Sequence, residues 1–110
     1  CPIEDGEPLF EYYAAVTRQN HQSEPIDGWQ NHEVVSRVDA LKMFTTWAAY
    51  GEFSEQKRGL IKPGFDADLT IFSNDITQCS PQDLLRTKVL GTIVNGTFVY
   101  SDGLENFIAL

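Results

Sequence analysis

The feature that most narrows the fold is the pair Asn95-Gly96, set between two β-rich runs, Val89–Val94 and Thr97–Tyr100. A two-residue type I′ turn needs positive φ at both central positions, and Asn and Gly tolerate it best. The segment therefore predicts an antiparallel hairpin with Val94 opposite Thr97, Ile93 opposite Phe98, Thr92 opposite Val99 and Gly91 opposite Tyr100. That register puts Gly91, Ile93, Phe98 and Tyr100 on one face, with the Tyr100 ring over the bare backbone of Gly91. Ser101-Asp102-Gly103 ends the second strand. Upstream, Lys62-Pro63-Gly64 has Pro and Gly in type II order, and Asp68–Ser73 reads as a further strand.

The first half has helical periodicity instead. Pro8 suits a first helical position, where its missing N–H costs nothing. Leu9, Tyr12, Tyr13 and Val16 then follow i, i+3, i+4, i+7 spacing, one apolar stripe of a helix ending near Arg18. Residues 19–35 are polar, broken by Pro25 and Gly28, and read as a functional excursion or a disordered connection. Ser36, with Asp39 three residues on, resembles a capping box opening a helix to about Tyr50, where Gly51 stops it. On that helix Asp39, Lys42 and Thr46 share a narrow arc, while Val38, Ala40, Leu41, Met43, Phe44, Trp47 and Ala48 cover most of the remainder. A helix so apolar needs partners on several sides, more than a chain of 110 residues supplies. Glu52–Gly59 suits one more helical turn. Ser80-Pro81 opens a short helix ending near Thr87. The fold class expected is α+β: two or three helices followed by a small, mostly antiparallel sheet with a C-terminal hairpin.

The net charge of −8, from 16 acids against 8 bases, disfavours nucleic acid and anionic membranes as partners. No apolar run approaches the roughly 20 residues of a membrane span. Cys1 and Cys79 form no CxxC pair or disulfide framework, which slightly favours a reduced, cytoplasmic setting, a bridge between the two being the alternative. The chain begins with Cys1 rather than Met, so its true N-terminus is expected to lie elsewhere, and the lack of a signal peptide leaves the compartment undecided.

Each candidate for chemistry is outweighed by a plainer reading. His21 and His32 lie far apart in the polar stretch, and no HxH, HExxH or CxxC spacing exists, so two solvated histidines are expected. Asp66-Ala67-Asp68 lacks the oxygen ligands and glycine spacing of a calcium loop; short acids there serve to bind backbone N–H groups. No G-x-S-x-G elbow or histidine accompanies Cys1 or Cys79. Asn95-Gly96-Thr97 matches a glycosylation acceptor but is better explained by the hairpin turn. Trp47 is expected in a core; the role of Trp29 stays open.

Three stretches together carry a resemblance. They are Asp39–Thr45 (DALKMFT), Trp47–Tyr50 (WAAY) and Gly59–Ile71 (GLIKPGFDADLTI). In that order, with the closing Val89–Tyr100 hairpin, they resemble the C-terminal part of the amidohydrolase superfamily. Cys1-Pro2-Ile3-Glu4, Pro8-Leu9 and Ala15-Val16-Thr17-Arg18 are similar to its YtcJ-like branch, some of whose members are labelled exoenzyme regulatory proteins. The resemblance implies a (β/α)8 barrel with one or two divalent metal ions, zinc foremost, and a small β-sandwich built from both chain ends. The parent would use a metal-activated water to hydrolyse carbon–nitrogen bonds other than peptide bonds. None of the family's ligands maps onto this sequence, so the chain itself is expected to hold no catalytic, cofactor or metal residue; Glu4 alone would line the substrate mouth. Residues 1–51 would end the barrel, and 52–110 would belong to the sandwich. The expected partners are the remainder of the barrel and, through open strand edges, further copies of the chain. The competing expectation is a free-standing acidic interaction or regulatory domain.

Overall fold

A computed structural model describes Ile3 and residues 5–104. Helix α1, Pro8–Thr17, starts at its proline and ends where Arg18 turns left-handed (φ 58). Its apolar stripe buries Tyr12 and Tyr13 almost completely, at 2% and 1% exposure, with Leu9 and Val16 packed beside them. The polar stretch that follows is a closed, hydrogen-bonded loop carrying a 3-10 turn, Asn31–Glu33. The Gln19 side-chain amide donates to the carbonyls of Pro25 and Ile26 at 3.0 and 2.8 Å. Trp29 N donates to Arg18 O at 2.8 Å, and Val35 N to Ala15 O at 3.1 Å. The loop therefore returns alongside α1 instead of leaving it.

The single helix expected to Tyr50 is two. Helix α2, Arg37–Phe44, is capped by Ser36, whose Oγ accepts from Asp39 N. Helix α3 is Thr46–Gly51. The break lies at Thr45 (φ −127, ψ −95). Its hydroxyl donates to Leu41 O at 2.8 Å, occupying the acceptor that its own N–H would use, and that N–H falls back on Lys42 O. Residues 52–59 form hydrogen-bonded turns, not a further helical turn, because Phe53 is left-handed (φ 62). The backbone then passes so close to the break that a Cβ on Gly59 would lie 3.1 Å from Thr45 O and from Thr46 Cα.

Strand β1, Leu69–Phe72, precedes helix α4, Pro81–Arg86, which is capped by Ser80 as the sequence predicts. Strands β2, Val89–Val94, and β3, Thr97–Ser101, complete an open antiparallel sheet of order β1-β2-β3. The α+β class holds. Asn95 and Gly96 both have positive φ, 49 and 78, as a type I′ turn requires. Val94 faces Thr97 and Ile93 faces Phe98, but a bulge follows, pairing Thr92 with Tyr100 and Gly91 with Ser101. One extra residue, Val99, reverses the faces beyond it. Tyr100 therefore cannot cover Gly91; the Phe98 ring does, 3.2 Å from where a Cβ would stand.

Helix α1 packs on α2 and α4 around Tyr12, Tyr13, Ala40, Ile76 and Leu84. Tyr12 holds this core to two distant segments. Its hydroxyl proton is shared between Arg37 O at 3.0 Å and Ile76 O at 3.1 Å. The Arg37 guanidinium also reaches Ile76 O at 2.6 Å and Cys79 O at 2.9 Å. Burial pushes the Tyr12 phenol above its ordinary 10.0, although Arg37 pulls it back. The folded chain then holds this proton more tightly than the unfolded one. The stabilisation is complete below pH 10 and is lost as pH rises through the raised value. Tyr12→Phe is expected to cost about 0.5–1.5 kcal/mol at neutral pH and to flatten the alkaline decline, as measured by urea melts on both sides of pH 10.

Candidate functional site

Two surfaces stand apart from the core. The first is an open groove of about 680 Å³ beside the start of α1, lined by Asp5, Glu7, Phe10, Glu11, Arg18, His21 and Trp29 among others. Its interior contacts are largely self-satisfied. The Phe10 and His21 rings stack at 4.8 Å. The Arg18 guanidinium lies 5.0 Å over the Trp29 ring, and its Nε donates to Trp29 O at 3.0 Å. One face of Trp29 is thus already occupied by a cation from its own chain.

The second is an apolar face. Val38, Met43, Phe44, Trp47, Tyr50, Phe53, Leu60 and Ile61 are all exposed, Phe53 and Ile61 to about nine-tenths. Trp47, expected in a core, is half exposed with the Lys42 ammonium 5.8 Å over its ring. The break at Thr45 divides the helix, and the described residues leave half of Trp47 uncovered. Charge is segregated in the same way. Residues 37–66 carry five bases and four acids, whereas the rest of the chain carries three bases and twelve acids. The apolar face is therefore nearly neutral, and the acidity lies elsewhere. Strand β3 adds a second uncovered surface, with Phe98, Val99 and Tyr100 exposed along an edge.

The sequence's other candidates are scattered. His32 pairs with its exposed neighbour Glu33 at 3.5 Å, while His21 stacks on Phe10. Asp66 binds Arg58 at 3.0 Å, and Asp68 accepts from Asn95 N at 2.8 Å. Both acids have structural partners, one a guanidinium and not the expected N–H. Asp66 and then Glu52 hold the Arg58 guanidinium more firmly protonated than usual. Cys79, expected in a polar loop, packs half-buried against the core. Glu4 and Cys1 lie outside the described residues. Among the described residues no three His, Cys, Asp or Glu side chains gather where an ion could be held. The metal of the resembled family does not fit this donor set. No helix among the described residues is long and apolar enough to cross a membrane.

What remains is the exposed apolar face over residues 38–61. The model of the amidohydrolase family matches residues 1–100. The chain belongs to the amidohydrolase family. It is 31% identical over 100 residues to the putative amidohydrolase YtcJ of Bacillus subtilis (strain 168), covering 91% of this chain and 19% of that protein. It is 28% identical over 88 residues to an N-substituted formamide deformylase of Arthrobacter pascens, covering 80% of this chain and 16% of that one. This amidohydrolase chain spans less than one fifth of the length of either relative. No solved structure matches it. The sequence missed the apolar face as a site because exposure depends on how the helix breaks; its excess of apolar positions was the one visible signal.

Proposed function

We propose that this chain is a non-catalytic, C-terminal segment of a longer metal-dependent amidohydrolase, acting as a structural brace. In this reading residues 1–51 end the hydrolase barrel and residues 52–110 contribute to a small β-sandwich. Hydrolysis of carbon–nitrogen bonds other than peptide bonds, and the divalent metal it needs, zinc foremost, belong to the longer protein. The observation that carries the reading is the neutral apolar face over residues 38–61 in an otherwise strongly acidic chain. A monomer gains nothing from holding four aromatic rings and four aliphatic side chains in water; a segment packed against further chain buries them. The match to 91% of this chain but 19% of a relative supports the presence of such further chain.

The test compares the 110-residue chain with the longer reading frame that contains it. N-substituted formamides are the first substrates to try, because one relative is named for deformylating them. The short chain is expected to self-associate in sedimentation and to show no turnover, and the longer protein to retain divalent metal and hydrolyse the substrate. Tightly held, stoichiometric zinc in the short chain together with turnover overturns the reading. A clean monomer at high concentration favours instead an acidic interaction or regulatory domain.

A further inference from the structure

Asn95-Gly96 has a reactivity that the hairpin does not use, and we infer that it is a self-modification site held in check by the fold. In an open chain the backbone nitrogen of Gly96, unhindered by any side chain, attacks Cγ of Asn95. A Cγ–N bond forms, the Cγ–NH₂ bond breaks, and ammonia leaves with the proton released by Gly96 N. The five-membered succinimide then takes up one water at either carbonyl, giving aspartate or its β-linked isomer. Water enters and ammonia departs, with no oxidant or enzyme required.

Two hydrogen bonds oppose this step in the folded chain. Gly96 N donates to Ala67 O at 3.0 Å, so the nucleophile's proton is engaged. Asn95 N donates to Asp68 Oδ1 at 2.8 Å, fixing the residue at φ 49. Sterics do not protect the site: both turn residues are exposed, and nothing lies within 4 Å of where a Cβ on Gly96 would stand. Release of both bonds is the gate, and release means that the hairpin leaves the lead-in to β1. Neither product reverts to the amide, so the change outlasts reclosure of the hairpin. Aspartate sets a second carboxylate beside Asp68, and the β-linked form inserts an extra carbon into a two-residue turn. The site thus converts transient opening of the hairpin into a permanent mark.

Mass spectrometry of the peptide containing Asn95, after incubation at mildly alkaline pH, follows the gain in mass as amide becomes carboxyl. The folded chain is expected to react roughly tenfold or more slowly than the same chain in denaturant, because only opened molecules react. Asp68→Ala is expected to close most of that gap. Equal rates in folded and denatured chains overturn the inference, as does an Asp68→Ala chain that stays folded and reacts no faster. Amide exchange at Gly96 in the unaltered chain reads the gate without any variant: protection supports it, and exchange at the rate of an unstructured peptide overturns it.

Discussion

Tyr13→Ala is expected to lower stability by about 3–5 kcal/mol, the range for deleting a large buried ring. Tyr13 is 1% exposed, at the centre of the cluster shared by α1, α2 and α4. Its hydroxyl also donates to Gln19 Oε1 at 2.9 Å and lies 3.1 Å from Ser23 Oγ, so truncation frees the start of the polar loop. Small domains hold only about 5–15 kcal/mol in total, and this one leaves much apolar surface unburied. Loss of the cooperative transition in a urea melt followed by near-ultraviolet circular dichroism is therefore the expected outcome. Tyr13→Phe, which keeps the ring, is expected to retain the transition with a loss nearer 1 kcal/mol. Equal losses in the two variants would assign the stability to the hydroxyl and not to the packing.

The second large effect is expected at Gly59. Its φ of 96 is costly for any residue with a Cβ, and that Cβ would meet Ala49 Cβ at 3.0 Å as well as backbone atoms of Thr45 and Thr46 at 3.1 Å. Backbone strain of about 1–3 kcal/mol and overpacking of about 1–3 kcal/mol act together, because backbone cannot swing aside as a side-chain tip can. Gly64 separates the two terms. It has φ 90 but nothing within 4 Å, so Gly64→Ala carries the strain alone. Thermal melts of both variants should rank Gly59→Ala well below Gly64→Ala. If they coincide, the close passage of residue 59 over the α2–α3 break is not a real constraint.

These effects separate what the sequence could reveal from what it could not. Turns and caps are local chemistry, and they read correctly: Asn95-Gly96, Pro63-Gly64 with Phe65 N donating to Lys62 O, and the serine caps of α2 and α4. The break at Thr45 was hidden, because a threonine within an apolar helical pattern does not announce that its hydroxyl will take the carbonyl of residue 41. The bulge at Val99 was hidden too, since alternation in the sequence cannot register one unpaired residue. The polar loop read as irregular because its closure depends on particular side chains, Gln19 and Arg18, finding carbonyls up to eleven residues away. As for a site, the excess of apolar positions on residues 38–50 was legible, but their exposure was not.

The double hold of Tyr12 has a consequence for the order in which the chain matures. Its acceptors belong to residues 37 and 76, and the cluster around it needs Leu84 as well. During synthesis the first helix leaves the ribosome before the last of these is made, so it must wait, solvated and only marginally helical, until the turn at residue 76, 64 residues after Tyr12, arrives to close over it. Translation pauses placed before that point would prolong exposure of the two tyrosines to chaperones, whereas pauses after it would not.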